Sequence, residues 1–371
     1  MDFAFSPDQE ALRDLAKQIC QDHVTQDRLK AIEQTPDWFD RDLWGALAKA
    51  SLLGLALPEE YGGVGLGLVE LCLVLEQVGG TVAPVPVWAT ALLGAAPIAA
   101  FGTAEQKAKW LPGVVSGDVI LTAALTEFPA EDPAAPETRA VRDGDGWRLE
   151  GVKQCVPAAH LAARVLVPAR TGDGTIGVFL IDPQAQGVTL ERQIATNKEP
   201  LSRMTLTGAI ADDVLGDPMA GTAIVEWLVD HATVGLCALE LGVVDRALRM
   251  TAQYTIERKQ FDRAIASFQA VQQRAADAFI DVEGIRLTLW QAAWLLDEGR
   301  PAHAEVLSAK FWAADAGHRI AYTAQHLHGG IGVDTDYPLY RYYLWSKAIE
   351  LTMGSGARQL ARLGELIAAG A

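Results

Sequence analysis

A change of texture in the middle of the chain constrains its fold more than any other feature. From about residue 116 onward, short β-branched runs recur at 119–125, 140–142, 147–151, 164–167, 176–181, 188–190 and 204–206. Turn chemistry separates them, most clearly Asp143-Gly144-Asp145-Gly146 between two alternating runs. Aspartate and glycine tolerate the left-handed backbone that a tight hairpin needs. Strands at this spacing predict a small antiparallel sheet or barrel of about a hundred residues.

Both flanks read as helices. Ser6-Pro7 is a cap followed by a first-turn proline, after which Leu12, Leu15, Ile19 and Val24 keep helical spacing. A second helix over 43–53 stops at Gly54, the cluster 58–63 is a turn, and 68–78 is another apolar helix. The segment 81–101, rich in Ala and Pro, reads as buried. Beyond 220 the helices lengthen: one over 220–257 that tolerates Gly235 and Gly242, and one over 267–296. In the latter, Phe268, Val271, Ala275, Phe279, Val282 and Ile285 keep a three-to-four spacing. Pro301 opens a third, Gly329-Gly330 ends it, a last helix follows Pro338, and 360–367 forms a short tail. The expected organisation is mainly α with a central β domain. It comprises an N-terminal helical domain at 1–115, a middle β domain at 116–218 and a C-terminal helical domain at 219–371.

Charge narrows the function classes. The chain has 47 acidic residues against 31 basic ones, a formal net charge of -16, which disfavours nucleic acid and anionic membranes as partners. Cys20, Cys72, Cys155 and Cys237 are scattered without a C-x-x-C pair and are expected to be reduced core thiols. The start, Met1 to Pro7, has no basic run before an apolar core, so no signal peptide is expected. No apolar stretch is expected to reach the roughly 20 residues of a bilayer span. These readings predict a cytoplasmic protein. His326 and His328 lack a third ligand at sensible spacing, so no metal site is expected.

Two motifs carry chemistry. The first runs Tyr254-Thr255-Ile256-Glu257-Arg258-Lys259-Gln260-Phe261-Asp262-Arg263 and on to Phe268-Gln269. The second, about sixty residues further on, is His326-Leu327-His328-Gly329-Gly330-Ile331-Gly332. Singly, each residue has a bland role: Arg258 can pair with Glu257 or Asp262, the histidines can be satisfied core residues, and the glycines can end a helix. At this joint spacing they resemble the acyl-CoA dehydrogenase family, and the likeness extends over nearly the whole chain. The resemblance implies the acyl-CoA dehydrogenase fold, with an N-terminal helical domain, a middle antiparallel β-barrel or sheet domain and a C-terminal helical bundle. It also implies FAD bound between two subunits. Arg258 then reaches the neighbour's FAD pyrophosphate, a task suited to a planar fork of donors. Phe261 lies beside the adenine, and Gln269 opens a helix whose end favours an anion. Gly329 and Gly330 let backbone approach the cofactor. His326 stands where glutamine is more usual and can still donate one hydrogen bond.

The chain departs from the family in two places. The stretch from Thr126-Glu127-Phe128-Pro129 to Glu131-Asp132 lacks the family's flavin-binding Gly-Ser-Asp. The stretch from Gly151 through Lys153 and Cys155 to Pro157 lacks the aromatic and hydroxyl of its Trp-Ile-Thr triplet. Desaturating an acyl-CoA requires a carboxylate to take the α proton while the β hydrogen leaves as hydride. Met353 and Ala232 occupy the two positions where the family carries that glutamate, so no catalytic base is assigned. Glu240, in an apolar stretch where burial raises a carboxyl's pKa, is an alternative. It lies eight residues past Ala232, roughly 80° round and about 12 Å along a helix.

The resemblance is nearest to the subunit lacking the glutamate in heterotetrameric (α2β2) steroid side-chain acyl-CoA dehydrogenases. Runs such as Ile280-Asp281-Val282, Phe311-Trp312-Ala313-Ala314 and Gly332-Val333-Asp334-Thr335-Asp336 carry it. It implies a homologous partner subunit that supplies the glutamate, two FAD per tetramer each shared across a heterodimer, and a steroid-CoA thioester as substrate. The rival readings are a self-sufficient homomeric dehydrogenase using Glu240 and a non-catalytic scaffold subunit.

Overall fold

The computed structural model describes residues 4–130, 132–172 and 174–370. Met1 to Phe3, part of the leader reading, and Glu131, part of the altered 126–132 stretch, lie outside the described residues. Six helices come first: α1 Pro7–His23, α2 Gln26–Glu33, α3 Arg41–Lys49, α4 Leu68–Thr81, α5 Ala96–Phe101 and α6 Ala104–Ser116. Strands follow: β1 Leu121–Ala123, β2 Arg139–Asp143, β3 Gly146–Pro157, β4 Arg164–Arg170, β5 Ile176–Ile181, β6 Val188–Ile194, β7 Pro200–Ile210 and β8 Asp213–Leu215. The rest is α7 Gly221–Glu257, the short β9 Lys259–Gln260 and β10 Arg263–Ala264, then α8 Gln269–Asp297, α9 His303–His328, α10 Leu339–Leu351 and α11 Gly356–Ala368. The fold is mainly α with a central β domain.

The elements form two compact units that interleave in sequence. One holds residues 1–30, 68–83 and 233–371; the other holds 31–67 and 84–232. In the second unit the strands make one sheet in the order β6-β7-β3-β2-β4-β5-β8, with β1 beside β4. Pairing is antiparallel except where β4 meets β1 and β2. The Asp143–Gly146 turn closes β2 onto β3 as its composition requires, with Gly144 at φ 62°. One face of the sheet is a core of Trp147, Leu149, Val165, Val167, Phe179, Ile181, Met204 and Leu206. Burying each such side chain is worth roughly 1.5–3 kcal/mol. Beneath it lies an ion pair: Lys153 Nζ sits 2.5 Å from Glu127 Oε1 and donates to the Pro168 carbonyl at 2.8 Å. Burial pushes the Glu127 carboxyl up, but the Lys153 ammonium and the amide of Glu137 outweigh it and hold that carboxyl below its ordinary range.

The first unit is a helical bundle in which α9 packs against α8, α10 and α11. Ser6 caps α1 through a reciprocal bond pair with Gln9. The Asp297 carboxylate, at the end of α8, caps α4 by accepting from the Leu68 and Val69 amides at 2.6 and 2.8 Å. The crossing of α4 and α7 is close enough that a Cβ on Gly242 would lie 1.9 Å from the Glu76 carbonyl oxygen. Helix α7 also revises one expectation. By length and composition it could cross a membrane, yet 78% of that apolar window is buried inside the protein. Its apolar residues are matched by neighbouring helices, which periodicity along a single segment does not reveal. The cysteines split likewise: Cys20, Cys72 and Cys237 are buried as expected, whereas Cys155 is exposed.

Candidate functional site

The end of α7 and the start of α8 are joined by a hairpin that folds back on the helix. Arg258 N donates to the Tyr254 carbonyl at 2.8 Å as α7 ends, and the Arg258 carbonyl accepts from Ile265 N at 2.8 Å. Across the hairpin Gln260 opposes Arg263. Phe261 and Asp262 at its tip both have left-handed φ, 53° and 61°. Such backbone costs a non-glycine residue about 1–2 kcal/mol, yet it projects Phe261 outward, 87% exposed. Its ring meets Phe268 edge-on at 6.2 Å, and the Arg263 guanidinium sits 4.0 Å from the Phe268 centroid. Gln269 is the first residue of α8, and no side chain caps that end. Arg258 and Gln269 are both exposed.

The end of α9 comes to the same place. Tyr254, one turn before Arg258, stacks on His328 with centroids 4.3 Å apart, and its hydroxyl donates to the His328 carbonyl at 3.4 Å. His328 is a satisfied core histidine: Nδ1 faces the Ala324 carbonyl at 2.8 Å and Nε2 faces the Tyr337 hydroxyl at 3.2 Å. Burial pushes its pKa below the usual histidine value. His326, two residues earlier, is exposed, with Nδ1 3.3 Å from Arg274 Nη1 on α8. Gly329 ends α9 at φ 64°, ψ -140°, a conformation only glycine adopts readily. A Cβ built on Gly329 or Gly330 would meet nothing within 4 Å. Arg258, Phe261, Gln269, His326, Gly329 and Gly330 therefore gather at one end of one unit as an exposed, cationic, aromatic and backbone-rich surface. These donors and the open glycine turn fit a nucleotide with a phosphate pair.

The positions tied to proton abstraction look different. Ala232 is fully buried, its carbonyl accepting from Trp88 Nε1 at 2.8 Å. Met353 is half-buried at φ 62°, its carbonyl accepting from Gln359 Nε2 at 2.9 Å. Glu240 is fully buried among α7, α9 and α10. Its Oε1 accepts from Ser346 Oγ at 2.6 Å, and a Cβ on Gly317 would lie 2.3 Å from that same oxygen. Burial pushes its pKa up to about 7, against the opposing pull of Ser346 and Lys310. Lys310, also fully buried, donates to the Ile349 carbonyl at 2.7 Å. Glu240 can thus hold a proton near neutrality, but it is enclosed.

In the sheet unit, Cys155 occupies a register shift between Lys153 and Val156, at φ 52°, with its amide donating to Gln193 Oε1 at 2.9 Å. Position 155 therefore presents an exposed thiol on an irregular strand, with no aromatic face. Arg274 was not singled out by the sequence motifs. The available signal was the i, i+4 pair Tyr322 and His326, whose rings stack with centroids 6.3 Å apart and mark the α9 face opposite Arg274.

Comparison with known proteins identifies the family. Residues 219–368 match the acyl-CoA dehydrogenase C-terminal domain and 6–118 the acyl-CoA dehydrogenase N-terminal domain. The chain is 40% identical over 376 residues to the acyl-CoA dehydrogenase FadE27 of Mycobacterium tuberculosis, covering 99% of each. Among solved structures it is similar to a chain of a Tcur3481-Tcur3483 steroid ACAD variant, with 47% identity, a TM-score of 0.93 and 98% of both chains covered. It is also similar to a chain of the ChsE4-ChsE5 complex from Mycobacterium tuberculosis, with 40% identity, a TM-score of 0.94 and 99% of both covered. Fold, motif geometry and full-length similarity together establish that this chain belongs to the acyl-CoA dehydrogenase family.

Proposed function

We propose that the chain is one subunit of a heteromeric, FAD-dependent acyl-CoA dehydrogenase, and that it contributes the pyrophosphate and adenine half of a shared FAD site. The observation that carries this reading is a contrast within the chain. A nucleotide-suited cluster is assembled and exposed at Arg258, Phe261, Gln269, His326 and Gly329-Gly330, while Met353 and Ala232 stand where the family's base would be. Bound FAD supplies the hydride acceptor for α,β-desaturation. This chain's part is to hold its phosphates through the Arg258 fork and the start of α8, and to admit its backbone-contacting edge at the glycine turn. A homologous partner subunit brings the glutamate and the flavin-ring contacts, in an α2β2 assembly.

The substrate in this reading is a steroid side-chain CoA thioester, supported by the likeness to the steroid ACAD at 47% identity. The three-part division at about residues 115 and 218 and a cytoplasmic location belong to the same proposal. A homomeric enzyme using Glu240 is disfavoured, because that carboxyl is enclosed against Ser346 and Gly317. Co-expression with the partner subunit, followed by counting FAD per protein mass, tests the assignment. Arg258→Ala is expected to lower FAD content at least tenfold at limiting cofactor, the scale of a lost charge-assisted phosphate contact. Unchanged occupancy would mean a scaffold, and a yellow, acyl-CoA-reducible protein from this chain alone would mean a homomeric enzyme.

A further inference from the structure

We infer that Arg274 is a positioning residue for the nucleotide site: it fixes the tautomer and plane of His326 so that Nε2–H faces outward as the donor. This rests on the reading of the α9 turn as a cofactor half-site. The argument begins with the chemistry of the two side chains. A guanidinium has five donors and no acceptor, so Arg274 Nη1, 3.3 Å from His326 Nδ1, can only donate. Nδ1 must then offer its lone pair, which leaves the one proton of a neutral imidazole on Nε2.

The plane of the ring is set by the same neighbours. Tyr322, one turn earlier on α9, lies 6.3 Å away and 20° from parallel. Arg274 approaches from α8 on the Nδ1 side, so Nε2 lies on the opposite edge of the ring. His326 is exposed, and the open backbone of Gly329 and Gly330 follows within one turn. A glutamine at this position carries its donor on a fixed amide nitrogen. A histidine has a single donor whose location depends on tautomer and ring flip, and Arg274 removes both ambiguities. A neighbour on α8 thereby lets histidine do the work of an amide.

The inference predicts a specific non-additivity, measured as FAD dissociation constants of the co-expressed complex. Arg274→Leu should weaken FAD binding about fivefold, the scale of one misplaced hydrogen bond. In a His326→Gln background the same substitution should change binding less than twofold, because an amide needs no tautomer setting. Equal losses in both backgrounds, or no loss in either, would overturn the proposal. Imidazole 15N spectra of the full chain labelled at histidine give an independent readout. His326 should show a protonated Nε2 and a bare Nδ1, converting to a mixture in Arg274→Leu, and a proton on Nδ1 in the parent would overturn it. Arg258→Ala separates the levels of failure. If that variant keeps its FAD, the half-site reading falls and takes this inference with it; if it loses FAD while the Arg274 effect ignores residue 326, only this inference falls.

Discussion

At the scale of single residues, Glu240 shows how far environment outruns identity. The sequence shows a carboxylate in an apolar stretch, from which a raised pKa follows. It does not show that Ser346 and Gly317, 106 and 77 positions away, close over the group, because that depends on three helices meeting. The enclosure makes stability depend on pH. In the folded chain the carboxyl titrates at about 7 against an ordinary 4.5, so unfolding releases a proton between those values. Its contribution is fully present below about pH 4.5 and is lost as pH rises through 7. At about 1.4 kcal/mol per unit the span is worth about 3 kcal/mol at most. Burial sets the rise, with Ser346, Lys310 and Lys347 pulling the carboxyl down and Glu350 pushing it up. Glu240→Gln keeps a hydrogen-bond partner for Ser346 but cannot ionise. Its melting temperature should fall less than the parent's between pH 5.5 and 8.5, and identical slopes in thermal melts would refute the assignment.

Helices and strands were legible to the degree that their signals were local. The run Ile176–Ile181 is legible to the residue because an uninterrupted apolar stretch bounded by turns admits little else. The alternation that predicts β3 stops at Gly151, but the strand continues to Pro157, since cross-strand bonding to β7 sustains it where alternation fails. Helix α6 is hard to see in the sequence although Thr103 and Gln106 form a capping box, because Pro112 and the preceding alanine-rich run blur its period. The long α7 is legible from its apolar pattern, in which Gly242 looks merely tolerated. Its contact with α4 shows the glycine to be required. Gly242→Ala would drive a methyl against the Glu76 carbonyl and should cost about 3 kcal/mol, the upper range for overpacking. Gly45→Ala is the control: nothing lies within 4 Å of its Cβ position in α3, so the change should be neutral or stabilise by up to about 1 kcal/mol. Urea unfolding of the two variants tests the contrast. Similar midpoints would show that α4 and α7 are free to separate.

For the molecule as a whole, the elements run helical, then β, then helical along the chain, and contacts gather them into two compact units that interleave in sequence. Helices α1 and α4 join the C-terminal helices, a partnership written in surface complementarity rather than in any motif. Function is distributed along the chain in the same way. Under the proposed division of labour the chain lacks two parts that lie in different units, a base at Met353 in the helical unit and a flavin-ring platform near Cys155 in the sheet unit. Restoring one should not restore activity. In that proposal Met353→Glu would supply a carboxylate at a backbone whose φ of 62° the parent methionine already adopts, and would leave the stretch around Cys155 unchanged. Under the proposed division of labour, this variant expressed alone should stay colourless and give no acyl-CoA-dependent dye reduction, while its complex with the partner subunit keeps the parent's FAD count. Flavin retention with dehydrogenase turnover by the isolated variant would show that the base was the sole missing part, and that a whole active site survives within one chain.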